Sequence, residues 1–300
     1  MSMLISPMRC ELGSLASLEA REGDPDWIAE RKYDGERIVA QFDKDRVSMW
    51  TRRDMNVSHK FPEVVEAIRG ALRGKGHTVI DGELVAGASF KDLGRRQSED
   101  RLTIKIMSKK LPATYVVFDV LVLDGKNVMS LQLSDRKNLL DESLRDSSAI
   151  ELAPVFSSDG LRARFDQFVH EDCEGIIIKR LSSTYQAGKR SRDWVKVKKS
   201  ITVEVEIVGA VRSEAGQAFK SIIMMHDGRY FGLVGTGFSE EDRRRIFELL
   251  GRDPVDKPAI PLPEGVDPVV LNHPKRALIT VLEISNTGMP RAPVWIGFKE

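Results

Sequence analysis

Near the N-terminus, three short runs alternate apolar and polar residues. "DWIAERK" and "ERIVAQF" flank a "YDG" turn, and a polar "DKDR" turn leads into "VSMWT". Residues two apart on a strand project to one face, so consecutive alternating runs joined by tight polar turns predict an antiparallel meander. The period then changes. "FPEVVEAIRGALRG" sets Phe61, Val64, Val65, Ile68, Ala71 and Leu72 at helical spacing, with Pro62 suited to a first turn and Gly74 to a stop. "HTVIDGELVAG" and "ATYVVFDVLVLDG" are β-rich runs ending in glycine turns, whereas "SDRKNLLDESL" (134–144) predicts a capped helix and "LRARFDQFVHED" another. The strands "EGIIIKRL" and "DWVKVKK" close this part near residue 200. Strands and helices mix without regular βαβ repetition, which predicts an α+β fold of mostly antiparallel sheets rather than a doubly wound one.

Beyond Ser200 the runs "VEVEIVGAV", "FKSIIMMHDGRYFGLVGTGF" and "ALITVLEIS" accompany a single helix, "SEEDRRRIFELL". Several short strands with an Asp-Gly turn at 227–228 predict a small β-barrel of the OB type. The expected division is therefore 1–200 and 201–300, with the proline-rich stretch 254–268 as the flexible segment.

With 30% charged and 41% hydrophobic residues, the chain reads as a globular protein. No apolar run approaches the roughly 20 residues needed to cross a bilayer. Pro7 and Arg9 interrupt the N-terminal apolar stretch too early for a secretion signal, so the expected compartment is the cytoplasm. Cys10 and Cys173 are too few for a disulfide framework, and the five histidines lie too far apart for a short metal signature. A net charge of +1 leaves no chain-wide basic footprint, so nucleic-acid binding would need local patches such as the Lys/Arg residues around 189–199.

Strand parity then sorts the polar residues. Glu30 and Lys32 share a face, as do Asp81 and Glu83; Trp194, Lys196 and Lys198 share another, opposite Val195 and Val197. Lys32 alone reads as a solvated side chain, Glu83 as a surface acid and Phe118 as ordinary core; Asp34 and Gly35 read as the turn that exposes Lys32. Together, in order, they supply a nucleophile, carboxylates and phosphate counter-charges. A lysine attacks only as the free amine, so its ordinary pKa of about 10.4 must be overcome by desolvation or neighbouring positive charge.

"KYDGER" (32–37) resembles the Lys-x-Asp-Gly-x-Arg motif of the covalent nucleotidyltransferases. "TRRDMN", "DGELV", "YVVFDVLVLDG", "EGIIIKR" and "WVKVKK" follow in the order of the ATP-dependent DNA ligases. "FKDLGRR" and "HKFPEVV" further resemble the cellular and archaeal-like branch. The resemblance covers essentially the whole chain. It implies a nucleotidyltransferase domain followed by an OB-type barrel, with ATP and Mg2+ as cofactors and nicked duplex DNA as partner. By the same resemblance Lys32 would carry AMP, Glu30 would face the adenine amino group and Phe118 would stack on the ring. Arg37 and Glu83 would hold the ribose and phosphate side, and Lys196 and Lys198 would neutralise the α-phosphate. Arg52 would meet the 5′-phosphate of the nick, assisted by Arg96, and Glu174, with Glu83, would bind the metal.

Two departures stand out. Only 31 residues precede Lys32, so the helical DNA-binding domain of larger ligases is expected to be missing, and a compact two-domain monomer is expected, with weak DNA binding helped by a sliding clamp or repair partner. "PRAPVWIGFKE" resembles the final motif with Lys299 in place of its arginine and stops before the usual Asp-Lys, which bears on self-adenylylation rather than on fold. An RNA ligase, an RNA-capping guanylyltransferase and a non-catalytic nucleic-acid-binding module stay open as alternatives.

Overall fold

The computed structural model describes residues 4–145, 147–171, 173–213, 219–252, 254–255, 268–285 and 287–299. The chain divides into two compact units, Met1–Lys198 and Lys199–Glu300. Both mix sheets with helices, an α+β architecture.

The first unit holds two sheets. One runs in the order Arg9–Leu12, Arg190–Lys198, Gly175–Arg180, Trp27–Lys32 and Phe156–Ser157. The other runs Arg46–Thr51, Glu36–Asp43, Thr78–Ala86, Ala113–Leu123 and Lys126–Asn127, and Ile150–Leu152 pairs with Ala113–Leu123. Pairing is antiparallel except for Arg9–Leu12 on Arg190–Lys198 and Ile150–Leu152 on Ala113–Leu123. Lys44 and Asp45 adopt positive φ in the turn of the meander.

Ile28 and Trp194 from the first sheet share a buried cluster with Val39, Val79, Val116 and Phe118 from the second, so the two sheets pack over one apolar layer. On the other face of the first sheet, Trp27, Ala29, Val195 and Val197 pack with Leu161, Phe165 and Phe168 of the helix Leu161–His170. That burial holds the valines of "WVKVKK" on one side and leaves its lysines to the opposite side, as strand parity requires. The helix Pro62–Ala71 buries Val64 and Ile68 and starts on Pro62, where the missing N–H costs nothing. The helix expected from Ser134 begins at Leu133, which is fully buried, with Gln132 at the cap position and no side-chain capping bond. Parity did not disclose the edge strand Arg9–Leu12 or the helix Arg101–Lys110, the latter capped by Asp100 on the Thr103 amide.

The second unit is built on a six-stranded antiparallel sheet: Arg229–Val234, Ser221–His226, Ile201–Val211, Pro268–Val281 and Pro254–Val255, with Val294–Phe298 also on Pro268–Val281. Asp227 and Gly228 both take positive φ, the turn that matches strand twist in a two-residue hairpin. The helix Glu240–Arg252 packs Ile246 and Leu250 into this unit's core. Of the proline-rich stretch 254–268, residues 256–267 lie outside the described residues. No helix among the described residues is long and apolar enough to cross a membrane.

Candidate active site

The strand Trp27–Lys32 pairs antiparallel with Gly175–Arg180, placing Gly175 opposite Lys32, and Gly175 also lies opposite Lys198 on the next strand. The approach is close. A Cβ on Gly175 would lie 2.1 Å from the Val197 carbonyl oxygen, and its φ of +144° suits only glycine. Glu174, just ahead of that glycine, consequently sits between two ammonium groups: its carboxylate accepts from Lys32 Nζ at 2.6 Å and pairs with Lys198 Nζ at 2.5 Å. The Lys32 side chain is 16% exposed, withdrawn from open solvent but reachable. Burial pushes the Glu174 carboxyl up, and the charges of Lys32 and Lys198 more than offset this, so its pKa lies below the ordinary value.

Lys196 completes the cationic side. No carboxylate pairs with it among the described residues, and burial, followed by the charge of Lys198, lowers its pKa. Glu83 faces this group from the second sheet. Burial pushes its carboxyl up to about 7 against the opposing pull of Arg37 and Lys32, and it makes no hydrogen bond within the described residues. The Asp34–Gly35 turn leans on it: a Cβ at Gly35 would stand 2.3 Å from the Leu84 carbonyl oxygen and 2.9 Å from Glu83 Cγ.

Arg37, opposite Glu83 in the ladder, donates to both oxygens of the fully buried Asp81 at 2.7 and 2.6 Å. Tyr185 adds a hydroxyl bond to Asp81 at 2.5 Å. Burial alone would lower the Arg37 pKa; the Asp81 charge reverses that and raises it well above the ordinary value. So held, the guanidinium lies 4.6 Å from the Phe118 ring centroid. Phe118 is buried, edge-on to Trp194 at 6.2 Å.

Glu30 shares the Lys32 face, but its carboxylate is already engaged. Lys179 donates to one oxygen at 2.5 Å and Lys137 to the other. Burial raises the Glu30 carboxyl, and the two lysines more than reverse that, leaving its pKa below the ordinary value. Lys179 Nζ is itself clasped 4.3 Å from the Phe118 centroid and 4.2 Å from that of Trp194. Beneath them, Arg136 and Asp119 form a fully buried ion pair.

Sequence reasoning missed Lys137, Lys179, Tyr185 and the Asp81 partnership. A lysine at the end of the buried run "GIIIK" and an aspartate inside "VIDGELV" were the available signals, since a charge in an apolar strand requires a partner. Arg52 is exposed in the turn after Arg46–Thr51, with no ion pair among the described residues. Arg96 is not brought to the group. Its buried guanidinium bonds Glu63 at 2.6 Å and the Leu111 and Lys60 carbonyls at 2.7 and 3.2 Å, and lies 5.2 Å from the Phe61 ring centroid. A nick phosphate would have to displace Glu63 from it, so the expectation for Arg96 gives way to a tie between the helix Pro62–Ala71 and its surroundings. Lys299 pairs with Glu204 at 2.5 Å inside the second unit.

A pair of carboxylates among lysines fits Mg2+, which is commonly bound by one or two carboxylates plus substrate phosphates. Among the described residues no group of three or more acidic, histidine or cysteine side chains converges, so the substrate would have to complete the coordination. The unbonded Glu83 carboxyl is the feature that favours a cation here.

The family model for the ATP dependent DNA ligase domain matches residues 7–198. A DNA ligase of Thermococcus fumicolans is 30% identical over 256 residues, 79% of this chain and 44% of that protein. The multifunctional non-homologous end joining protein LigD of Mycolicibacterium smegmatis is 28% identical over 307 residues, 98% of this chain and 38% of that protein. Among solved structures, mycobacterial DNA ligase D complexed with ATP and MES superposes with a TM-score of 0.56 at 27% identity, covering 98% of this chain and 95% of that one. The chain thus spans less than half the length of these curated relatives. The matched segment contains every strand that builds the Lys32 site, and the chain belongs to the ATP-dependent DNA ligase domain family.

Proposed function

We propose that the chain seals nicks in duplex DNA with ATP, carrying AMP on Lys32. The observation that supports this best is the meeting of Lys32 and Lys198 through the carboxylate of Glu174, which immediately precedes the strand lying between theirs. In the first step the Lys32 amine attacks the α-phosphorus of ATP; a P–N bond forms, the bond to the pyrophosphate oxygen breaks, and the amine gives up its proton. The 5′-phosphate at the nick then attacks the same phosphorus and returns the amine. Finally the 3′-hydroxyl attacks the 5′-phosphorus, closing the phosphodiester and releasing AMP.

For Lys32 to attack, its pair with Glu174 has to open. Lys196, which has no acid partner among the described residues, and Lys198 neutralise the α-phosphate. Arg37 and Glu83 hold the ribose side, Phe118 stacks on the base, Glu30 accepts from the adenine amino group, and exposed Arg52 takes the nick phosphate. Glu174 and Glu83 would hold Mg2+. When bound, that ion supplies positive charge to the reacting phosphates and the departing pyrophosphate.

On this reading 1–200 is the adenylyltransferase domain and 201–300 an OB-type barrel, working as a cytoplasmic monomer on nicked DNA with clamp or repair partners. Its DNA affinity falls steeply with salt, as counterions are released from the phosphates. Sealing of a nicked DNA duplex is compared with that of the RNA equivalent, with ATP and with GTP as donor. DNA joined with ATP supports the proposal. Preferential RNA joining identifies an RNA ligase, GTP use a capping-type enzyme, and binding of nicked DNA without any joining a non-catalytic module.

A further inference from the structure

Lys137 has a place in the site that the roles above do not use. It projects from the helix Leu133–Ser143 onto Glu30, two residues before Lys32 on the same strand face. The other lysine on Glu30 is closed off from a ligand: Lys179 is 1% exposed and lies between Glu30 and the Phe118 and Trp194 rings. The Lys137 side chain retains 13% exposure. An ammonium carries three donors, and its bond to Glu30 uses one. A carboxylate offers about four acceptor positions, of which Lys137 and Lys179 occupy two. Lys137 and Glu30, the latter with a side chain only 3% exposed, therefore hold adjacent unused donor and acceptor capacity.

Purine edges differ in this pattern. Adenine offers a donor at its 6-amino group beside an acceptor at N1, whereas guanine offers an acceptor at O6 beside a donor at N1. We propose that Lys137 is a specificity-determining residue, donating to N1 of the adenine whose amino group Glu30 accepts. Guanine at the same place sets O6 against the carboxylate and its N1–H against the ammonium, so the pair rejects it as well as welcoming adenine. This inference rests on the reading of the Lys32 site as the ATP site. The competing role for Lys137 is to balance the charge of Glu30 without touching the nucleotide.

Binding of ATP and of 1-deaza-ATP, in which N1 is replaced by C–H, separates the two roles. It is measured by calorimetry without added divalent cation, so that no covalent step is needed. The unsubstituted chain binds 1-deaza-ATP about 10- to 100-fold more weakly than ATP, the range of one charge-assisted hydrogen bond. In Lys137→Met, ATP binding falls to the 1-deaza-ATP level, the analogue's own binding barely moves, and GTP is discriminated against less. Lys137→Gln, which keeps a donor, restores part of the preference, and thermal unfolding checks that each variant is folded. Equal binding of ATP and 1-deaza-ATP by the unsubstituted chain overturns the inference, as does an equal loss for both nucleotides in Lys137→Met. Intact discrimination with no lysyl adduct under turnover conditions overturns the ligase proposal and leaves the Lys137 assignment standing.

Discussion

Asp81 organises the site without being positioned to react, and Asp81→Asn tests that. Its carboxylate is fully buried and takes Arg37 at 2.7 and 2.6 Å and Tyr185 at 2.5 Å. Removing one partner from a buried pair costs about 3–5 kcal/mol. Asparagine keeps one acceptor oxygen, and the Arg37 side chain is 19% exposed, so water can take up part of its freed charge. We therefore expect a loss of about 2–3 kcal/mol, below the full-pair cost. For a unit of this size that lowers the midpoint of thermal unfolding by about 4–12 °C. Scanning calorimetry reads this directly, and a double-variant cycle with Arg37→Ala isolates the coupling between the two residues. Arg37 also loses its anchor over Phe118, so ATP binding should weaken in the same variant. A shift of less than about 2 °C, with no coupling in the cycle, would refute the claim that Asp81 holds Arg37 in place.

Glu83 gives a pH signature. Its carboxyl is raised from 4.5 to about 7 by burial, so between those values the folded chain holds a proton the unfolded chain has lost. The contribution is full below the unfolded pKa and fades as pH rises through 7, by at most about 3.5 kcal/mol at about 1.4 kcal/mol per pKa unit. Urea titrations at pH 5 and pH 8 should show Glu83→Gln losing this slope; an identical slope in both proteins contradicts the assignment. Gly175→Ala pushes a methyl into the Val197 carbonyl at a φ of +144° and should cost about 1–3 kcal/mol or more while displacing Glu174 and Lys198. Wild-type stability and adduct formation in that variant would show that the close approach is dispensable. Arg96→Met should lower stability by about 2–4 kcal/mol, through loss of the Glu63 pair and its carbonyl bonds, and leave the salt dependence of DNA binding alone. A salt slope reduced by about 0.9 would instead return a phosphate contact to Arg96.

Period-two alternation made the strands legible, and with them the parity that sets Glu30 with Lys32 and the lysines of "WVKVKK" opposite Val195 and Val197. The helix over Pro62–Ala71 followed from apolar spacing and one proline. Parity says which way a side chain points but not what it meets. Glu30 and its lysines are 107 and 149 residues apart, and Asp81 and Tyr185 are 104 apart, separations at which the partner is decided by which strand pairs alongside, which helix packs over the sheet and where a loop returns. Arg96 shows the same limit. Its motif placed it near the chemistry, while a partly buried acid on the neighbouring helix, Glu63, turned its guanidinium inward. The edge strand Arg9–Leu12 escaped because it is only four residues long and pairs with a strand 180 residues away, through a register shift.

The proposed chemistry comes down to one amine, that of Lys32, and one phosphorus atom. Intact-mass measurement after incubation with ATP and Mg2+, followed by mapping of the modified peptide, tests it most directly. A mass increase of one AMP is expected, located on Lys32, absent from Lys32→Ala and discharged when nicked DNA is added. An adduct that persists in Lys32→Ala, or an unsubstituted, folded chain that binds ATP and never becomes modified, would contradict it.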